Sequence, residues 1–183
     1  MRIISGQFKG RRITPPKKLP VRPTTDMAKE AIFNILNNNY YFDEISVLDL
    51  FAGTGSISYE FASRGTEDIT SVDEDFGCIK FINKTAEEFE MPIKTVRSDV
   101  FKFLETTKIK SDVIFVDPPY AFSLEEFSKI PELVFQNDLL EDEGVLVVEH
   151  AKQMELSHLP YFSYSKNYGS SIFSFFEKAE EIF

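Results

Sequence analysis

From Ile45 onward the chain alternates short apolar runs with longer amphipathic stretches, and few architectures accept that order. The runs SVLDL, DITSV, IKTV, DVIFV and GVLVV have the length and β-branched content of strands. Segments 56–64, 75–90, 100–107 and 124–137 between them have helical length and helical apolar spacing. Such alternation predicts an α/β fold in which helices cover both faces of a mostly parallel sheet. The tail FSYSKNYGSSIFSFFEK alternates about Gly169 and predicts an antiparallel hairpin at the end of that sheet.

Upstream of the alternation, IISGQFKGRRITPP mixes β-branched residues with Gly6 and Gly10 and reads as a short strand pair or an extended arm. Pro15, Pro16 and Pro20 stiffen the connection that follows. After RPTTD, the spacing of Ala28, Ile32, Ile35 and Leu36 is helical. Thr25 or Asp26 stands where a cap belongs, and Asn37–Asn39 end the run.

A chain of 183 residues fits one domain with a real core. No apolar run approaches the roughly 18–20 residues that span a membrane, and the opening has no stretch resembling a signal peptide. A single cysteine, Cys78, excludes an internal disulfide framework and suggests no metal cluster. The expectation is a soluble cytoplasmic protein without a membrane or metal partner. The net charge of -10 argues against a polyanionic partner until its distribution is considered. Residues 1–30 carry eight basic side chains, including Lys9, Arg11, Arg12 and Arg22, against only Asp26 and Glu30. The remaining residues are strongly acidic. Either a basic arm meets phosphates while an acidic body stays off them, or the cluster is a chance feature of a solvated face.

The first strand runs into Asp49-Leu50-Phe51-Ala52-Gly53-Thr54-Gly55-Ser56. Glycines just past a strand allow a tight turn and close approach of a ligand, and open α/β sheets bind ligands at that end. A dinucleotide loop has a third glycine where this chain has Ser58, which weakens a pyrophosphate reading. The bland alternative is a plain strand-to-helix turn. Asp73 ends the second strand, where a carboxylate can accept both ribose hydroxyls; alternatively, acids there favour the first turn of the next helix. Asp99, after the third strand, suits either an adenine amino group or a helix cap.

Asp117-Pro118-Pro119-Tyr120 follows the strongly apolar DVIFV. Two prolines lack N–H donors and cannot extend the sheet, so the chain must leave it in a rigid extended form. What remains is a set of acceptors, the Asp117 carboxylate and the Pro118 carbonyl, with an aromatic ring two residues on. An exocyclic base amine has the complementary features of two N–H donors and a π face. Its lone pair is delocalised into the ring, so it attacks poorly until fixed acceptors turn the nitrogen toward tetrahedral geometry. Stabilising positive charge on that nitrogen is electrostatic preorganisation, and stacking on Tyr120 adds positioning worth up to roughly 7–11 kcal/mol. The chemistry requires neither a metal nor a covalent nucleophile. The bland alternative is a Pro-Pro turn after a buried strand.

The order LDLFAGTGSISYEFASRG, SVDED, SDVFKFL and VDPPY resembles the amino-methylating class I methyltransferases. RIISGQFKGRRITPP followed by VRPTTDMAKEAIFNIL is more specific: the chain resembles the RsmD family over nearly its whole length. That resemblance implies a Rossmann-like fold with a seven-stranded sheet, S-adenosylmethionine as cofactor, S-adenosylhomocysteine as product, and N2 of a 16S rRNA guanine as methyl acceptor. It implies that Asp49, Gly53 and Gly55 hold the methionine end of the cofactor, with Thr24 and Thr25 nearby. Asp73 would take the ribose, and Asp99 with Val100 the adenine. Phe51 lies near the sulfonium on this reading. Asp117, Pro118, Pro119 and Tyr120 form the catalytic loop. Residues 1–23 would be a basic RNA-binding arm using Lys9, Arg11, Arg12 and Arg22, and residues 24–183 the methyltransferase domain. The partner is small-subunit rRNA or the assembling 30S subunit.

Three rivals stay open on the residues themselves. DPPY loops also serve adenine-N6 enzymes acting on DNA or RNA, a glycine loop also serves nicotinamide oxidoreductases, and an RNA-binding module can keep a vestigial pocket. His150 and His158 have no partner at triad or metal spacing and read as structural.

Overall fold

In the computed structural model, residues 1–21 and 24–179 are described. The expected alternation is realised as β1 (Ser46–Leu50), α2 (Ser56–Ser63), β2 (Asp68–Asp73), α3 (Phe76–Glu88), β3 (Ile93–Arg97), α4 (Val100–Thr106), β4 (Ser111–Val116), α5 (Leu124–Gln136) and β5 (Leu140–Ala151). Before them come α1 (Asp26–Asn37) and a 3-10 turn at Phe42–Glu44; after them, β6 (Phe162–Tyr168) and β7 (Ser171–Glu177). The sheet order is β3-β2-β1-β4-β5-β7-β6. All pairings among β1–β5 are parallel, while β7 runs antiparallel to β5 and to β6. β5 begins earlier than its apolar run suggests, and its pairing with β4 shifts register between Ser111 and Val113.

Strand alternation sorts the core into two layers. Val47, Val113, Phe115, Val145 and Val147 pack with Ile32, Phe33, Leu36, Phe61 and Ile82 from α1, α2 and α3. Leu48, Leu50, Ile114, Val116, Leu146 and Val148 pack on the other face with Leu104, Phe127, Ile130 and Val134 from α4 and α5. Burying one such side chain contributes roughly 1.5–3 kcal/mol, so the two layers hold the strand ends rigidly.

Helix starts follow their caps. The Thr25 hydroxyl accepts from the Ala28 N–H at 3.2 Å, Asp75 from Cys78 at 2.8 Å, and Asp99 from Lys102 at 3.0 Å. α5 opens with a reciprocal capping box between Ser123 and Glu126. Cys78 is buried, and burial pushes its thiol up to about 12. His150 is also buried: Nδ1 donates to the Ala151 carbonyl at 3.0 Å and Nε2 accepts from the Ser174 hydroxyl at 2.7 Å. Burial holds its pKa below the usual range, so it serves the core as a neutral ring. No helix among the described residues is long and apolar enough to cross a membrane.

The opening segment joins this core. Arg2 and Arg12 form an antiparallel bridge, and Ile3 and Ile13 are buried in the first layer. The strand pair expected there is thus a single bridge with a turn at Gly10.

Candidate active site

Strand order reverses between β1 and β4, and a cleft of about 1010 Å³ opens at the carboxyl ends of the strands there. Thr24, Asp49, Phe51, Gly53, Asp73, Asp99, Val100 and Asp117 through Tyr120 all line it. Two expected residues do not. Thr25 is used as the cap of α1. Gly55 lies beneath the loop at φ +91°, where an added Cβ would come within 2.7 Å of the Tyr59 ring. It is required for packing, and its part in the site is to let the loop turn.

Asp49 is 2% exposed and accepts the Ser58 hydroxyl at 2.7 Å, while Ser58 lies 2.6 Å from the Ser71 hydroxyl. Burial pushes the Asp49 carboxyl up to about 7; the Ser58 bond opposes the rise and the charge of Asp73 adds to it. Ser58 thus fills the place of a third glycine with a hydroxyl that positions an acid.

The loop above Asp49 is held by Asp73. Its Oδ2 accepts the Gly53 N–H at 2.9 Å and its Oδ1 accepts the Asp75 N–H at 2.9 Å. Phe51 takes φ 55°, a left-handed conformation uncommon outside glycine, which marks the loop as strained. An added Cβ on Gly53 would stand 3.0 Å from Val21 Cγ1, so residues of the opening segment roof this part of the cleft; Met1 and Pro20 also line it. α2 starts at Gly55 without a side-chain cap, leaving the positive end of the helix bordering the cleft at Ser56 and Ile57.

An aromatic wall was not anticipated from sequence. Phe122 meets Phe51 edge-on at 5.4 Å and stacks on Phe101 at 5.8 Å. Phe76 also lines the cleft; it is 59% exposed, and the Arg97 guanidinium sits 5.4 Å from its ring centre. The available signal was a large apolar residue opening α3 immediately after the acids that end β2. Asp99 caps α4 and also lines the cleft.

After Val116 the chain leaves the sheet at the two prolines, as their missing donors require. The Asp117 N–H makes a long bond of 3.5 Å to the Leu50 carbonyl, tying this turn to the end of β1. Tyr120 is 50% exposed and lines the cleft together with a second cavity beside it. Among the described residues, no cluster of three or more His, Cys, Asp or Glu side chains is placed to hold a metal ion.

Lys9, Arg11 and Arg12 are exposed around the turn at Gly10, and the Arg11 guanidinium lies 5.9 Å from the centre of the Phe89 ring. Arg22 lies outside the described residues. Lys29, counted within the basic stretch, is 1% exposed: its ammonium donates to the Arg2 carbonyl at 2.6 Å and to Ser56 Oγ at 3.2 Å, and lies 3.7 Å from Glu60. Burial holds its pKa below the ordinary lysine range, against the pull of Glu60. Glu60 also accepts the N–H groups of Ile4 and Ser5 at 2.8 and 3.1 Å and pairs with Arg64 at 2.9 Å. The opening segment is therefore docked on α2 by a buried charge network.

The family model described as "Conserved hypothetical protein 95" matches residues 1–177. The chain belongs to that family. Within it, similarity extends to the "Putative rRNA methyltransferase YlbH" of Bacillus subtilis, 35% identical over 161 residues covering 85% of each chain. The "Ribosomal RNA small subunit methyltransferase D" of Escherichia coli K12 is 30% identical over 87% of this chain and 79% of its own. A solved structure, "Putative methyltransferase yhhF from Escherichia coli", superposes with a TM-score of 0.84 at 28% identity, covering 97% of both chains. The resemblance to the RsmD family read from the opening segment and the four motifs is thereby borne out. In fold and family, this chain is a methyltransferase.

Proposed function

We propose that the chain transfers a methyl group from S-adenosylmethionine to the exocyclic N2 amine of a guanine in small-subunit rRNA. One observation carries the reading: Asp117-Pro118-Pro119-Tyr120 borders the same cleft as Asp49, Gly53, Asp73 and Asp99. The donor set suits the cofactor at each end. Asp49 and the uncapped start of α2 are complementary to an ammonium and a carboxylate, as in the amino-acid end. Asp73 keeps acceptor capacity for ribose hydroxyls, Asp99 with Val100 suits adenine, and Phe51 with Phe122 suits a cationic sulfur.

When bound, the cofactor supplies a methyl group on a positively charged sulfur. The residues do the rest by positioning and charge. The Asp117 carboxylate accepts one N–H of the amine and the Pro118 carbonyl the other, which directs the nitrogen lone pair toward the methyl. Tyr120 stacks on the base. Asp117 would stabilise the positive charge that develops on nitrogen as the methyl leaves sulfur, where the electron pair of the broken bond remains, and would take the surplus proton and pass it to water. Residues 1–23 act as the RNA-binding arm through Lys9, Arg11, Arg12 and Arg22, and residues 24–183 as the methyltransferase unit. The acceptor base is splayed from its stack to reach the cleft. The names of the relatives support rRNA as substrate, and the DPPY loop supports an amine as acceptor.

The test is transfer of labelled methyl to small-subunit rRNA, or to its particles lacking the modification, followed by nucleoside digestion. Label in N2-methylguanosine is the expected result. Label confined to N6-methyladenosine overturns the choice of base, and no label on any nucleic acid overturns the substrate class.

A further inference from the structure

A second cavity of about 550 Å³ adjoins the cleft and is lined by Tyr120, Ala151, Lys152, Gln153, Gly169 and Ser170. Tyr120 is the only described residue shared by the two cavities. Ala151 and Ser171 are register partners in the sheet, so the turn after β5 and the tip of the β6–β7 hairpin stand side by side at the carboxyl edge. That is the same edge on which the cleft opens.

We propose that this cavity binds the nucleotide next to the methylated base in the RNA strand, with Lys152 on its phosphate and Gln153 and Ser170 on its sugar or base edge. The proposal rests on the RNA-amine reading above and extends it to the strand that carries the target. A base splayed out of its stack drags its own backbone across the mouth of the cleft, and its neighbour loses a stacking partner. Tyr120, as the wall between the cavities, provides an aromatic surface on the side where that neighbour arrives. Lys152 is exposed and makes no ion pair among the described residues, so its charge is available in an otherwise acidic body. Gln153 and Ser170 supply both donors and acceptors, which a ribose 2′-hydroxyl can use in either sense. Gly169, at φ +63°, leaves the hairpin tip without a side chain where the backbone must pass; the nearest atom to an added Cβ is Met27 Cε at 4.0 Å.

The test compares the intact wild-type chain with Lys152→Ala, Lys152→Glu and the cavity-filling Ser170→Trp. It measures KM and kcat for small-subunit rRNA, the salt dependence of RNA binding, and S-adenosylmethionine affinity by calorimetry. Lys152→Ala should raise KM for RNA several-fold, hold kcat within roughly twofold, and reduce the slope of log affinity against log salt by about 1. Lys152→Glu and Ser170→Trp should raise KM further, with cofactor affinity unchanged in all three. Wild-type turnover on RNA with an unchanged KM and salt slope in the variants overturns this site alone. Absence of wild-type methyl transfer to any RNA overturns the reading beneath it.

Discussion

Ser58 donates its hydroxyl to Asp49 at 2.7 Å, at the position where a dinucleotide-binding loop would have a glycine. The bond holds an acid that burial has pushed up to about 7, against 3.8 when free. An acid raised in this way contributes stability that is fully present at low pH and lost as pH rises through about 7. An ammonium placed beside it favours the anion, so cofactor binding should expel a proton near neutrality. Cofactor affinity should then fall by up to about tenfold per pH unit below 7. Calorimetry in buffers of different ionisation enthalpy reads the proton directly. In Asp49→Asn the release should vanish; a release that survives in this variant removes Asp49 from the amino-acid end of the cofactor.

Replacing Asp117 by Ala should reduce kcat by at least about a hundredfold while cofactor affinity stays within a few-fold. The carboxylate acts on the amine and has no assigned contact with the cofactor. Single-turnover transfer alongside cofactor titration separates the two effects, and a parallel collapse of cofactor binding would show Asp117 to be a cofactor ligand.

Glu60 is fully buried and joins Lys29, Arg64 and the backbone of Ile4 and Ser5. Glu60→Ala leaves a buried ammonium without its counter-charge and should cost about 3–5 kcal/mol in urea unfolding. The opening segment should also become accessible to protease in the folded protein. Protection equal to wild type would mean that Ile3 and Ile13 alone keep the segment in place.

Gly6 and Gly10 test two different demands on glycine. Both have positive φ, +86° and +84°, but a Cβ on Gly6 would stand 1.9 Å from the Ser63 carbonyl oxygen, whereas none lies within 4 Å of one on Gly10. Gly10→Ala should cost only the backbone term, about 1 kcal/mol. Gly6→Ala should cost several times that, because the arm must lift from α2. Equal losses in thermal unfolding would contradict this docking.

Neutralising Arg11 and Arg12 together should weaken RNA binding and lower its salt slope by about 2, with kcat at saturating RNA little changed. Filter binding across a salt series is sufficient. An unaltered slope would take the turn at Gly10 out of the RNA interface.

Local rules in the sequence were enough for the architecture and for most of the residues that line the candidate site. Alternating apolar runs specify strands and helices because periods of 2 and 3.6 are properties of the backbone itself. Glycines after β1, an acid ending β2 and prolines after β4 announce a ligand-binding edge because each acts through its own bond geometry. The tertiary structure decided which of these groups meet. The strand order β3-β2-β1-β4-β5-β7-β6 brings Asp49, Asp99 and Asp117 to one cleft, and no periodicity encodes that order. It buried Lys29 against Glu60, converting one charge of a basic stretch into an internal tether, because ion pairing depends on distances set by packing. It also set Lys152 beside Ser170 next to Tyr120 and placed Phe76 in the cleft lining. Those contacts join segments far apart in the chain, and only a completed sheet with a fixed register makes them neighbours.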